Sequence, residues 1–155
     1  MDTKMGSKRI LIVDDDPDVR LGLHVRLVAN GYETSFAGDA LTAIAEARKQ
    51  QPDLIILDLG LPAGDGFVVM ERLGRIASLS VIPIIVVSAR DIRANQERAV
   101  KAGAKAFLQK PVDNAELLAV IRRALGEPAE EAAEPHTGTW PIVDATLPPV
   151  GAAGS

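Results

Sequence analysis

Short runs of apolar residues alternate with longer stretches of mixed polarity over residues 9–126. The apolar runs occupy residues 9–13, 32–37, 54–57, 82–87 and 106–109. Runs rich in Ile, Val and Leu that lack alternating polar positions are typical of strands buried on both faces, in a parallel sheet covered by helices. The pattern therefore predicts five parallel strands.

The stretches between the runs carry helix signals. An aspartate opens each of four segments, and its side chain can cap the first helical turn there. These segments are 39–50, 65–77, 91–102 and 113–125. A strand–helix order repeated five times predicts an α/β protein with a doubly wound parallel sheet and right-handed crossovers.

The segment between the first two runs gives opposing signals. Its apolar residues alternate with others from position 19 to position 27, which by itself indicates a strand. Asp16 is a suitable N-cap and Pro17 a good first-turn residue, so we predict a helix that ends before Asn30-Gly31. A helix would present two nearly opposite apolar stripes. One is Val19, Leu23 and Leu27, and the other is Leu21, Val25 and Val28.

The composition excludes several classes of protein. The 155 residues include no cysteine, so there is no disulfide framework and no thiolate site, which fits a cytoplasmic location. Residues 1–8 are polar and are predicted to be disordered, not a signal peptide or an anchor. No apolar run approaches the roughly 18 residues needed to span a bilayer, so we expect no membrane association.

Charged residues are distributed unevenly between the predicted domain and the C-terminal residues. All 17 Lys and Arg residues lie before residue 127, with 16 of the 21 acids, so the predicted domain 9–126 is nearly neutral. Residues 127–155 hold five acids, no Lys or Arg and half of the ten prolines, and they are predicted to form a flexible acidic tail. A body without a basic stripe argues against nucleic-acid binding by this domain.

Polar residues follow four of the five predicted strands. Asp14, Asp15 and Asp16 come after the first, and Asp58 comes after the third. Ser88 and Lys110 then follow the fourth and fifth strands. Each residue alone is better explained as a helix cap or a solvated loop residue than as part of a site. Because ligands bind at the carboxyl ends of parallel strands, their coincidence there predicts a site.

These residue types suit phosphoryl chemistry. Two carboxylates about 4 Å apart repel each other by roughly 4 kcal/mol at an effective dielectric constant of about 20. A hard divalent cation offsets this repulsion, and oxygen ligands suit Mg²⁺. A carboxylate beside such an ion can attack phosphorus while the Lys110 ammonium neutralises phosphoryl charge and the Ser88 hydroxyl donates a hydrogen bond.

Four stretches resemble response-regulator receiver domains of two-component signalling. They are ILIVDDDPD (10–18), PDLIILDLGLPAGDG (52–66), VVSAR (86–90) and AGAKAFLQKPV (102–112). The resemblance spans about residues 8–126 and implies a flavodoxin-like fold with strand order 2-1-3-4-5. It also implies a signalling phosphoacceptor in place of a true enzyme.

The resemblance assigns roles residue by residue. Asp58 would accept a phosphoryl group from a histidine kinase. Asp15 would bind Mg²⁺ directly, Asp14 directly or through water, and Asp58 and the carbonyl of Gly60 would complete the protein ligands.

Three further residues stand at positions that, in this family, contact the phosphoryl group or change conformation after phosphorylation. Ser88 and Lys110 would contact the phosphoryl group, and Phe107 stands at the switch aromatic position, although it is equally explained as a core aromatic of a strand. The Lys110-Pro111 pair resembles a site where the peptide bond is cis. We expect phosphorylation to change the face formed by residues 91–125.

The expected partners are proteins. They are a sensor histidine kinase or phosphotransfer protein, a downstream protein target, and a second copy bound through the 91–125 face. An exposed stripe of Leu21, Val25 and Val28 would suit kinase docking, unless neighbouring side chains or the tail cover it. His24 and His136 have no ligand-like companions, and we expect both at the surface.

The loop residues around Asp58 do not predict how long the phosphorylated state lasts. Pro62, Gly64 and Gly66 read as turn residues. Gly60 leaves one flank of the predicted site uncovered, whereas Arg90 could cover it.

Two alternatives remain at this point. One is a pseudo-receiver that binds partners without being phosphorylated. The other is an Mg²⁺-dependent phosphatase of the haloacid-dehalogenase type, for which Asp14 and Asp16 give a D-x-D pattern, but Asp18 departs from the motif and there is no cap-sized insertion. Residues 127–155 are too few for a typical output domain, so we expect a single-domain regulator or a fragment of a longer protein.

Overall fold

The computed structural model describes residues 7–62 and 65–127, which form one five-stranded parallel sheet in the order β2-β1-β3-β4-β5. The strands are β1 (Arg9–Val13), β2 (Glu33–Ala37), β3 (Leu54–Leu57), β4 (Ile84–Ser88) and β5 (Ala104–Gln109). The predicted flavodoxin-like fold and its strand order are confirmed.

Helices follow the strands in the predicted alternation. They are α1 (Pro17–Ala29), α2 (Ala40–Gln50), α3 (Gly66–Gly74), α4 (Ile92–Lys101) and α5 (Asn114–Leu125). An aspartate precedes every one of them, and its carboxylate accepts a hydrogen bond from a backbone N–H of the first turn. These caps satisfy amide donors that have no partner within the helix, so each helix starts at a defined residue.

The middle of the sheet is the core of the molecule. The Ile, Leu and Val residues of β1, β3 and β4 are buried, as expected for strands covered on both faces. Val13 pairs with Leu57, and Leu57 pairs with Val86, so the three strands end at nearly the same level. Residues that follow these strands therefore emerge side by side at one edge.

Three predicted boundaries were wrong by a few residues. Helix α3 ends at Gly74 and not at residue 77, because the N–H groups of Arg75 and Ile76 bond to Arg72 and Leu73 in turns. Strand β4 starts at Ile84 and not at residue 82, since Ile82 donates back to Leu79. Strand β5 starts at Ala104, two residues before the predicted position 106. Its register with β4 shifts there, so that Ile84 pairs with Ala104 and Ile85 pairs with Ala106.

Helix α1 is confirmed, together with its two stripes. Leu23 and Leu27 are buried against the sheet, whereas Leu21, Val25 and Val28 remain 59%, 58% and 49% exposed. The segment forms a helix although its alternating apolar residues indicate a strand, because Asp16 caps the first turn and one apolar stripe is buried.

The expectation that His24 lies at the surface needs correction. Its imidazole is half-buried, with Nδ1 2.7 Å from Oγ1 of Thr34 on β2. The ring also meets the Phe36 ring edge-on at 5.5 Å between centroids. His24 therefore links α1 to the edge strand.

Some predictions concern residues outside the described part of the chain. These are the disorder of residues 1–6, the tail from residue 128 onward and the position of His136. Within the described residues, no helix is long and apolar enough to cross a membrane.

Candidate functional site

The predicted site residues meet at the carboxyl edge of the sheet because the backbone ladder continues just past the strands. The N–H of Asp14 donates to the carbonyl of Ala37 at 3.0 Å, and the N–H of Asp58 donates to that of Val13 at 2.9 Å. The N–H of Lys110 donates to the carbonyl of Ser88, also at 2.9 Å. The main chains of these residues are therefore held as firmly as strand residues.

Three carboxylates form a cluster at this edge. Asp14, Asp15 and Asp58 each offer an oxygen, and these oxygens all lie within 4.8 Å of one another. Asp14 and Asp58 are only 3% and 7% exposed, while Asp15 faces solvent. Two nearly buried carboxylates at this separation favour a compensating cation, and three carboxylates are the donors that Mg²⁺ prefers. The residues thus fit a hard divalent ion.

Lys110 supplies the compensating positive charge within the protein. Its Nζ lies 2.7 Å from Oδ2 of Asp14 and 3.4 Å from Oδ2 of Asp58. Burial raises the pKa of the Asp14 carboxyl, although hydrogen bonds from Lys110 and from the N–H of Asp16 oppose this effect. Burial also acts to lower the pKa of Lys110, but its contacts with Asp14 and Asp58 prevail and raise it. The lysine therefore stays an ammonium group beside both carboxylates.

Ser88 is the last residue of β4 and Phe107 lies on β5, the two strands that follow β3 in the sheet order. The Ser88 side chain is buried, and its Oγ accepts a hydrogen bond from the N–H of Arg90 at 3.2 Å. Phe107 is fully buried on β5, where it pairs with Val86. The aromatic ring thus belongs to the core in this conformation. The Lys110–Pro111 peptide bond is cis, as the resemblance to receiver domains implies.

Gly60 leaves the Asp58 carboxylate uncovered on one side. Its N–H donates to Oδ1 of Asp58 at 3.1 Å. A Cβ at this position would lie 3.8 and 3.9 Å from the two carboxylate oxygens, which is ordinary van der Waals contact. Any side chain at position 60 would therefore extend from a point directly beside the acceptor.

Gly66 has a stricter role than the turn residue that the sequence predicts. A Cβ there would stand 2.7 Å from the carbonyl oxygen of Asp58 and 2.8 Å from Cα of Leu59. Its N–H donates to the carbonyl of Leu59 at 2.9 Å. The start of α3 therefore packs directly on the backbone that carries Asp58, and only glycine permits this approach. A glycine directly after a cap aspartate is the sequence signal, but it does not by itself distinguish close packing from a turn.

Two arginines at the site take positions that the sequence does not reveal. Arg20 on α1 donates from a guanidinium nitrogen to the carbonyl of Asp14 at 2.6 Å. The guanidinium of Arg90, which the sequence suggests could cover the flank of Asp58, lies 3.6 Å from Oδ2 of Asp65, the cap residue of α3. Arg20 thus secures the end of β1, and Arg90 joins the loop after β4 to α3.

Comparison with known proteins agrees with this geometry. A family model for the response regulator receiver domain matches residues 10–122. The chain belongs to this family. Receiver domains of this family serve two-component signalling, and the relatives found are regulators.

Two curated relatives illustrate the similarity. The response regulator PleD of Caulobacter vibrioides is 41% identical over 117 residues, which cover 75% of this chain and 26% of PleD. The transcriptional regulatory protein PrrA of Mycobacterium tuberculosis is 38% identical over 125 residues, which cover 81% of this chain and 53% of PrrA. The chain thus spans about a quarter to a half of the length of these relatives.

Solved structures show the same fold. A CheY-like response regulator receiver domain protein from Methanospirillum hungatei superposes with a TM-score of 0.72 at 30% identity, covering 77% of this chain and 94% of that one. The receiver domain of the sensor histidine kinase PA1611 from Pseudomonas aeruginosa gives a TM-score of 0.72 at 28% identity, covering 78% and 99% of the two chains. That structure has a magnesium ion coordinated in its active-site cleft.

Proposed function

We propose that Asp58 is the phosphoacceptor of this receiver domain and takes its phosphoryl group from the phosphohistidine of a sensor kinase or phosphotransfer protein. A carboxylate oxygen of Asp58 would attack phosphorus as the P–N bond to the histidine breaks, leaving an acyl phosphate on the aspartate. The main support is what surrounds the Asp58 carboxylate. Nζ of Lys110 lies 3.4 Å from its Oδ2, and carboxylate oxygens of Asp14 and Asp15 lie within 4.8 Å of an Asp58 oxygen.

Mg²⁺ is the proposed cofactor. Asp14, Asp15, Asp58 and the carbonyl of Gly60 would hold it, and the magnesium ion in the cleft of the Pseudomonas receiver domain supports this choice. Bound there, the ion would neutralise charge on the phosphoryl oxygens.

The chain's own residues would complete the stabilisation of charge. Lys110 is poised to move part of its interaction from Asp14 to a phosphoryl oxygen on Asp58, since its ammonium already contacts both carboxylates. The Ser88 hydroxyl would donate to a second phosphoryl oxygen. Both groups stabilise the negative charge that phosphoryl transfer delivers to this edge.

The new charge would act as a switch. The phosphoryl group carries about 1.5 to 2 negative charges, where the Asp58 carboxylate carried one, and its oxygens are strong hydrogen-bond acceptors. Movement of Ser88 toward them would open space beside Phe107 and shift the populations of two conformations of the 91–125 face. We expect this face to bind a downstream protein target or a second copy of the chain. Hydrogen exchange with and without a phosphoryl mimic tests this, and an unchanged 91–125 face would reject it.

We place kinase docking on the exposed stripe of α1. A Leu21→Glu chain should be phosphorylated more slowly by the kinase but normally by acetyl phosphate. A Leu41→Glu chain is the matched control, because Leu41 is an exposed apolar residue on α2. Equal slowing with both donors would reject docking as the cause. These reactions are proposed to take place in the cytoplasm.

The main alternative is a pseudo-receiver that is never phosphorylated. Three acids, the lysine and the hydroxyl side chain of the expected chemistry are all present, which favours the phosphoacceptor. Incubation with acetyl phosphate and Mg²⁺, followed by mass spectrometry, decides between them. We expect one added phosphoryl group on Asp58 and none in an Asp58→Asn chain. An unmodified wild-type chain, or modification of Asp58→Asn to the same extent, would overturn the proposal.

A further inference from the structure

Helix α1 carries an apolar surface that no described residue covers. Leu21, Val25 and Val28 follow one another at intervals of four and three residues, so they lie on one side of the helix. Each keeps about half or more of its surface exposed. Contiguous exposed apolar surface on a helix marks a binding surface for another segment or protein. We call these three residues the α1 stripe.

Glu127, the last residue that the structure describes, lies beside this helix. After α5, the N–H of Glu127 donates to the carbonyl of Arg122 at 2.8 Å, which turns the chain back. The hydroxyl of Tyr32 donates to Oε1 of Glu127 at 2.8 Å. Tyr32 follows directly on the turn that ends α1. Glu127 is therefore fixed at the end of α1 that carries Val28.

The distances allow residues beyond Glu127 to reach the stripe. Leu21 lies about 10 Å from Val28 along the helix axis, at about 1.5 Å per residue. Thirteen residue steps separate Glu127 from Trp140, and an extended chain of that length spans about 40 Å. The reach is several times the length of the stripe.

The sequence of the C-terminal segment complements this surface. Four of its five large apolar residues are close together in the sequence: Trp140, Ile142, Val143 and Leu147. The residues that lead to them are acidic, with three glutamates between positions 130 and 134 and no lysine or arginine after position 126. The near end of α1 and α5 offers Arg26, Arg122 and Arg123.

We propose that residues 140–147 bind the α1 stripe of the same chain. Tethering gives a segment an effective concentration of about a millimolar, so an intrinsic dissociation constant of about 1 mM would already fill half of the sites. This inference goes beyond the proposed function, because it assigns an occupant to the stripe in the absence of any kinase. A kinase that docks on α1 would then have to displace the segment.

Trp140 provides a direct test, since it is the sole tryptophan of the 155-residue chain. Its fluorescence emission and its quenching by acrylamide should show a shielded indole in the wild type. Val25→Glu should move the emission to longer wavelength and increase quenching, while Leu41→Glu on α2 should change neither. Circular dichroism of both variants verifies that the fold is intact. Equal spectra for wild type and Val25→Glu, or equal changes in the two variants, would overturn the proposal.

A reciprocal measurement reads the stripe itself. Hydroxyl-radical labelling of Leu21, Val25 and Val28 should increase in an Ile142→Ser/Leu147→Ser chain, whereas labelling of Leu41 should stay constant. Unchanged labelling of the stripe would reject the contact, and labelling that varies with protein concentration would reject its intrachain form. Neither measurement depends on phosphorylation, so a negative result leaves the role of Asp58 untouched.

Discussion

The ammonium group of Lys110 lies 2.7 Å from Oδ2 of Asp14, closer than to the Asp58 oxygen at 3.4 Å. The lysine thus partly neutralises a carboxylate that is proposed to bind Mg²⁺, and it does so from a position where it can also reach a phosphoryl group on Asp58. The same ammonium group should therefore weaken metal binding and speed phosphoryl transfer.

Lys110→Ala is expected to separate these two effects. Without the ammonium, the carboxylates should bind Mg²⁺ more tightly, by on the order of tenfold, which corresponds to about 1.4 kcal/mol. Phosphorylation by acetyl phosphate should fall by about 100-fold or more, the usual cost of losing a group that stabilises transition-state charge. Calorimetric Mg²⁺ titration and phosphorylation kinetics measure the two quantities. Weaker Mg²⁺ binding by Lys110→Ala would contradict this account.

Gly60→Val should prolong the phosphorylated state. The new Cβ would lie 3.8–3.9 Å from the Asp58 oxygens, and the branched apolar side chain would shield the acyl phosphate from water. We expect slower hydrolysis, on the order of tenfold if the barrier rises by about 1.4 kcal/mol. Decay of the phosphorylated protein, followed by mass spectrometry, gives the rate. An unchanged rate of decay would show that position 60 does not control access of water.

Gly66→Ala should destabilise the protein. Its Cβ would meet the backbone of Asp58 and Leu59 at 2.7 and 2.8 Å, so α3 or the acceptor loop must shift. Such overpacking costs about 1–3 kcal/mol in the free energy of unfolding. Gly22→Ala is the matched control: position 22 has free space around it within α1, and alanine there should stabilise by up to about 1 kcal/mol. Urea unfolding of both chains measures the difference, and equal effects would refute the close approach.

Tyr32 should titrate at unusually high pH. Burial, and then the hydrogen bond to Glu127, raise the pKa of its hydroxyl from 10.0 to about 12. The neutral phenol is thus favoured in the folded state, so its stabilising contribution is complete below pH 10 and is lost as the pH rises through about 12. Because Tyr32 is the sole tyrosine, phenolate absorbance reports it alone. Glu127→Gln should lower this pKa, and an unchanged titration would mean that the contact does not form in solution.

The sequence predicts the sheet and the strand-end cluster well because both depend on short-range patterns. Buried runs of Ile, Val and Leu determine β1, β3 and β4, and the aspartate caps determine where all five helices begin. Asp14, Asp58, Ser88 and Lys110 then meet because parallel strands end at one edge.

Other features depend on long side chains that reach across the fold. Arg20 donates to the carbonyl of Asp14, Arg90 lies beside the carboxylate of Asp65, and Tyr32 donates to Glu127 across 95 residues of sequence. The acceptor that each arginine contacts depends on the packing around it. The close approach at Gly66 likewise depends on where α3 lies on the sheet.

The backbone bond between Lys110 and Ser88 has a mechanical consequence. The N–H of Lys110 donates to the carbonyl of Ser88, so the residues that supply the ammonium and the hydroxyl share one rung at the end of the β4–β5 ladder. If the main chain at Ser88 is displaced, the rung must either carry Lys110 with it or break. A displacement of the main chain at Ser88 would therefore act directly on the residue that carries the ammonium group, whereas the N–H groups of Asp14 and Asp58 are bonded to Ala37 and Val13 on other strands.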